Sequence, residues 1–203
     1  ISEILDLQLS LAVFNFQQLN LNRVQQIFKN FNHSDTWYES KQGIEWTIKK
    51  NLIEILLHVE LKNLDYVQSR LNSFKRRYKK YLLEIKEERV HAFLLLVEKY
   101  LNAPEIFTSE AFKQQIEGSF EWKPYREEDI FVMSFYAWLK AKTERKNVYE
   151  VTLKLVEELH RRMVQRGRLV YTIDNLDKFE VEQKEEAEDT TSNYYQGCEL
   201  EII

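Results

Sequence analysis

From Ile4 to Leu19 apolar residues crowd more than one side of the chain, with Leu5, Leu7, Leu9, Leu11, Ala12, Val13, Phe14 and Phe16 among them. Spacing alone would permit a strand, but the length of the run and its lack of Gly or Pro predict a buried helix. Leu21, Val24, Ile27, Phe28 and Phe31 follow at helical intervals and predict a short second helix. Ser34 and Asp35 offer N-cap oxygens to a third, running through Trp37, Ile44, Ile48, Leu52, Ile55, Leu56 and Val59 to Lys62. Val67, Leu71, Phe74, Tyr78, Leu82 and Ile85 recur every three or four residues, the cleanest amphipathic signal in the chain. Val90, Phe93, Leu94, Val97 and Leu101 mark a further helix that Pro104 stops, and Thr108 or Ser109 opens a short one containing Phe112 and Ile116. Gly118 and Pro124 bracket a loop around Phe120 and Trp122. The run Ile130 to Leu139 has Ser134 as its one clearly polar member, so that helix should be central. The last helix spans about Tyr149 to Val164, with Val151, Leu155, Val156, Leu159 and Met163 inward.

Beyond Gly167 the pattern changes. Leu169 to Ile173 and Phe179 to Val181 read as short strands or an extended arm, and Glu180 to Asp189 as an acidic linker that stays solvated. The expected organisation is a helical domain over 1–166 and a C-terminal arm over 167–203.

Self-similarity decides the expected architecture. Gln17 to Gln25 aligns with Glu60 to Gln68 at an offset of 43, through Asn20-Leu21-Asn22-Arg23-Val24 and Asn63-Leu64-Asp65-Tyr66-Val67, and Phe31 falls on Phe74. A third copy follows Asn147 with Val148, Tyr149, Glu150 and Val151, and a degenerate one follows Leu101 and Asn102. Each Asn stands where the chain must reverse, and Asn tolerates the left-handed conformation that closes a helix. The chain resembles a tetratricopeptide-type helical repeat protein in these inter-helix turns, in the pair Leu11 and Ala12, and in the aromatic Phe28. It departs from that family in a repeat nearer 43 than 34 residues, in Val24 and Val67 where a small alanine is usual, and in lacking the prolines that end the units. The resemblance implies an all-α fold of stacked antiparallel helix hairpins, an α-solenoid with an irregular tail. It also implies a concave face that binds a peptide or protein segment without catalysis.

Four Gly and two Pro in 203 residues remove the turn-formers that short-stranded β folds need. A single cysteine, Cys198, forms no internal disulfide, so a reducing compartment, the cytoplasm, is the expected location. A net charge of −4 speaks against bulk attraction to nucleic acid. No apolar run is long enough to span a membrane, and Glu3 and Asp6 are unlike the basic start of a secretory signal.

The sharpest enzymatic pattern is a pair of Glu-x-x-His units, Glu88 to His91 and Glu157 to His160, the spacing that di-iron bundles use. Their setting is charged surface, and the further core carboxylates they need have no obvious source beyond Glu45 or Glu54. His58, four residues after Glu54, reads as a partly buried hydrogen-bonded histidine, and His33 as part of a helix-start loop. Cys198 has no basic neighbour to activate it. The expectation is a protein that is not an enzyme, holds no metal and needs no cofactor.

Two surfaces remain. Lys75, Arg76, Arg77, Lys79 and Lys80, interleaved with Tyr78 and Tyr81, form a basic run that would track phosphates in an alternative, nucleic-acid-contacting reading. Arg161, Arg162, Arg166 and Arg168 make a second cluster. Tyr78 belongs to the apolar stripe and should point inward, so the bases form a solvated face that an anionic partner, or the acidic tail, would equally suit. Curvature of a solenoid places a partner against the first helices of the hairpins. The expected contact residues are Trp37, Tyr38, Gln42, Glu45, Tyr136 and Lys140. Residues 4–16 leave the first helix too apolar for an end cap. A cover is expected from self-association, from the tail through Leu169, Val170, Tyr171, Leu200, Ile202 and Ile203, or from an upstream repeat; the first residue, Ile1, is no initiator methionine and favours the last.

Overall fold

The structure, a computed structural model, describes residues 2–119 and 129–165. The chain divides into a compact unit over Ile1–Glu158 and a second over Leu159–Ile203. Of the second, the end of the last helix is described. The expected loop at Phe120, Trp122 and Pro124, both possible strands, the acidic segment, Cys198, Arg166 and Arg168 lie outside the described residues, as does the expected boundary at 166.

The described residues are helical, without a strand: α1 (Ser2–Gln17), α2 (Leu21–Phe28), α3 (Asp35–Gln42), α4 (Ile44–Glu60), α5 (Leu64–Glu84), α6 (Glu88–Asn102), a 3-10 turn (Pro104–Thr108), α7 (Glu110–Ser119), α8 (Ile130–Glu144) and α9 (Val148–Gln165). Two boundaries depart from the sequence reading. The single helix expected from Asp35 to Lys62 is two, because Gly43 takes φ +87°, a conformation open to a residue without Cβ. Its N–H closes α3 on the Glu39 carbonyl at 3.0 Å, and its own carbonyl accepts from Thr47 at the start of α4. Gly118, expected to border a loop, is the penultimate residue of α7, one residue short of its end. The Ser34 hydroxyl caps α3 by accepting from Trp37 N–H, and Ser109 caps α7 through Phe112 N–H.

The inter-helix turns also differ from expectation in which residue is left-handed. Leu19, Lys62, Lys86 and Arg145 carry positive φ of 54–59°, while Asn20 and Asn63, one residue later, have φ −78° and −84°. After α1, Leu19 N–H reaches the Phe16 carbonyl at 2.8 Å and Asn20 N–H the Asn15 carbonyl at 2.9 Å. Lys62 and Asn63 repeat this pair of bonds after α4, and Lys86 and Glu87 after α5. These are the paired bonds that satisfy orphan carbonyls at a helix end. The Asn side chains work backwards. Asn20 Nδ2 donates to Asn15 Oδ1 at 3.2 Å, and Asn63 Nδ2 lies 3.0 Å from His58 Nδ1, five residues back in each case. Asn102 simply ends α6, and Asn147 caps α9 by accepting from Tyr149 N–H at 2.8 Å.

Burial follows the same 43-residue offset. Leu5, Leu9, Ala12, Val13, Phe16 and Val24 are buried, and so are Ile48, Leu52, Ile55, Leu56, Val59 and Val67. α1 packs on α2 and α4 on α5, while α4 also touches α1, α2 and α3. α8 packs against α1, α6 and α7. Met133 through Leu139 are all buried there, which makes α8 central as its composition requires. Matched positions of the two hairpins bind it. Gln17 Nε2 donates to Ser134 Oγ at 2.7 Å; Glu60, 43 residues on, accepts from Trp138 Nε1 and pairs with Lys142 at 2.6 Å. Ser134, Trp138 and Lys142 stand one turn apart on one face of α8. On α9, Val148, Val151, Leu155 and Leu159 are buried, but Val156, expected inward, is exposed. No helix among the described residues is long and apolar enough to cross a membrane.

Candidate binding site

The stripe that buries Val67, Leu71, Phe74, Tyr78 and Leu82 turns the neighbouring positions of α5 towards α3 and α4. Arg70, Ser73, Phe74 and Arg77 stand at i, i+3, i+4 and i+7, hence on one face. That face, with Asp35 from α3 and Asn51 and Ile55 from α4, walls a cavity of about 320 Å³.

Its charges are tied together. Arg77 grips Glu39 with two bonds, Nε to Oε1 at 2.8 Å and Nη2 to Oε2 at 2.7 Å, and also donates to Thr36 Oγ1 at 2.8 Å. Tyr78 OH donates to Glu39 Oε1 at 2.9 Å. Arg70 Nη2 donates to Glu54 Oε2 at 2.8 Å and to Asn51 Oδ1. Lys50, buried on α4, meets Asp35 at 3.1 Å and Glu54 at 3.5 Å. Tyr66 OH donates to the other Glu54 oxygen at 2.5 Å.

This environment fixes protonation. The bond from Arg77 holds Glu39 below the usual carboxylate range, and the Arg77 guanidinium is raised in turn. Burial pushes Tyr78 up, helped by Asp35 and by its bond to Glu39. Burial, then the bond to Glu54, takes Tyr66 to about 12. His58, half-buried and ring-to-ring with Tyr66 at 4.1 Å, is lowered by burial, with Glu54 opposing and Arg70 assisting.

The six residues expected to meet a partner do not share one face. Trp37 is half-buried under a stacked His33, with ring centroids 3.9 Å apart. Tyr38 is fully buried beside Trp46, so it belongs to the core and not to a contact surface. Gln42 ties α3 to the start of α1 through Ser2 and Asp6. Glu45 is exposed on α4 and accepts from Tyr81 at 3.1 Å. Tyr136 is buried in α8, and Lys140 pairs with Glu117 and Glu144. Burial removes both tyrosines from the expected set, because each sits on the apolar side of its helix.

The basic run is largely neutralised. Lys75 pairs with Glu98, Arg77 with Glu39 and Lys80 with Glu84, which leaves Arg76 and Lys79 exposed and without an ion pair among the described residues. Glu88, His91, Glu157 and His160 are exposed, and no group of three or more His, Cys, Asp or Glu able to hold a metal comes together among the described residues.

Sequence reasoning missed Lys50, Asn51 and Arg70 as parts of a site. A signal was present, for Lys50 and Asn51 interrupt the buried row of Trp46, Ile48, Leu52 and Ile55, where a polar group must find a partner. No family model, curated protein or solved structure matches the chain.

Proposed function

We propose that the chain is a non-enzymatic scaffold of helical hairpins that binds a peptide or protein segment in the cleft between α3, α4 and α5. The observation that carries this reading is the network of ion pairs that fixes Lys50, Arg70 and Arg77 around the cleft. A general acid or base works with a pKa near the operating pH. Glu39 is held lower, and Tyr66, Tyr78 and Arg77 higher, so each keeps one protonation state at neutral pH. Side chains that exchange no protons but hold charge in fixed positions suit recognition, where preorganisation cuts the cost of binding.

The resemblance to tetratricopeptide-type repeats and the matched burial of α1–α2 and α4–α5 support stacked helix hairpins, with α8 meeting α1 as it would not in a linear solenoid. The reducing cytoplasm is the proposed location, on the strength of a single cysteine. Self-association is part of the proposal. Ile4, Leu7, Leu11 and Phe14 form an exposed row along α1, at 60, 61, 41 and 54% exposure. A nucleic-acid reading retains Arg76 and Lys79 alone and ranks below.

Panning a library of random short peptides against the full chain tests the scaffold. The expected result is a consensus whose binding falls about tenfold or more in Arg76→Glu, the loss of one charged contact. Failure of any consensus to emerge, or equal binding by the variant, contradicts it.

A further inference from the structure

We infer that the segment bound in the α3–α4–α5 cleft is acidic and that the cavity takes one of its carboxylates; this rests on the scaffold reading above. Four cations, Lys50, Arg70, Arg76 and Arg77, gather around the cavity against three carboxylates, Asp35, Glu39 and Glu54. The three carboxylates are each bonded to Lys50, Arg70 or Arg77, and the excess positive charge is that of Arg76, which lines the cavity without an ion pair among the described residues. One carboxylate restores the balance. A phosphate dianion would overshoot it, with Asp35 in the wall to repel the second charge.

Donors for that carboxylate are in place. Ser73, three residues from both Arg70 and Arg76 on α5, lines the cavity and its hydroxyl has no hydrogen bond among the described residues. The bonds that hold Arg70 use Nη2, and those that hold Arg77 use Nε and Nη2, so both guanidinia keep N–H donors on Nη1. These bonds hold both guanidinium groups in place before the ligand arrives, so each offers its remaining Nη1 donors from a fixed position. Ile55 and Phe74 supply an apolar wall for the methylenes of a glutamate. The 320 Å³ volume stands at the small end of ligand sites, with room for one such side chain and water but not for a large cofactor.

Fluorescence anisotropy of the full chain with a labelled Glu-Ser repeat peptide tests the assignment. Its Gln-Ser and phosphoserine-Ser counterparts serve as further probes, and free glutarate as competitor. The Glu-Ser peptide is expected to bind in a salt-sensitive manner, to lose about tenfold or more in affinity for Arg76→Glu, and to be unchanged by Lys79→Glu, an exposed cation outside the cavity. Ser73→Ala should weaken it less. Equal losses for the two charge variants would reduce the effect to general attraction and overturn the assignment. So would tighter binding of the phosphoserine peptide, equal binding of the Gln-Ser peptide, no binding of the Glu-Ser peptide, or displacement by glutarate at the peptide's own concentration, which would make the site one for small acids. If library selection yields a non-acidic consensus that still needs Arg76, the scaffold stands and this inference falls.

Discussion

His58 shows how a residue acquires its properties from neighbours in the turn and the helix that follow its own. Tyr66 covers its ring, Asn63 reaches back to Nδ1, and burial lowers its pKa against the pull of Glu54. The sign of the pH effect follows. The folded pKa lies below the unfolded value of about 6.5, so the unfolded chain binds the proton more readily. The contribution is fully present above that value and lost as pH falls through it. The urea midpoint should therefore drop between about pH 7.5 and 5.5, and His58→Gln should flatten that drop. An identical pH slope in the variant would show that His58 is not the group responsible. The sequence made this histidine legible as half-buried and bonded, because Glu54 and His58 stand one turn apart among Ile55, Leu56 and Val59. It did not make Lys50 legible, since its partners Asp35 and Glu54 come from two helices.

At the scale of elements, periodicity located nearly every helix, and the failures have physical causes. The break at Gly43 hides within one apolar stripe that continues from Trp37 to Ile48, and the glycine itself was the signal. The turns after α1 and α4 were legible as a repeated Asn. The strained residue is the one before it, Leu19 or Lys62, whose left-handed backbone the two carbonyl-directed bonds over-determine. α1 was legible as too apolar for an exposed helix, but not which side it would bury. Leu9 is in the core at 1% exposure, whereas Leu7 and Phe14 face solvent, so a charge at Leu9 would unfold the domain and say nothing of its surface. Covering Leu7 and Phe14 is worth at most roughly 3–6 kcal/mol at 1.5–3 per side chain. Sedimentation velocity should then detect concentration-dependent association of the chain, abolished in Leu7→Glu with Phe14→Glu at little change in melting temperature. Both proteins remaining monomeric at high concentration would count against self-association through this row.

For the molecule as a whole, the 43-residue correspondence extends beyond the turns to side chains that do the same work. Gln17 and Glu60 occupy matched ends of α1 and α4, and both reach α8, to Ser134 in one case and to Trp138 and Lys142 in the other. A linear stack joins each repeat to its neighbours alone. Here α1 also meets α8, more than a hundred residues away in sequence, and no local pattern could have signalled it. The cleft has the same origin. Its walls come from three helices of different character: α5 is amphipathic, α4 is buried on nearly every side, and α3 buries Tyr38, so no single helix's pattern announces the charges that meet there. Methyl NMR of the full chain, titrated with a peptide selected from the library, tests binding in this cleft most directly. The Ile55 methyl, which lines the cavity, should shift in a saturable manner while those of Ile27 and Ile116, buried on α2 and α7, stay in place. An unmoved Ile55 in a chain that binds the peptide would contradict the account.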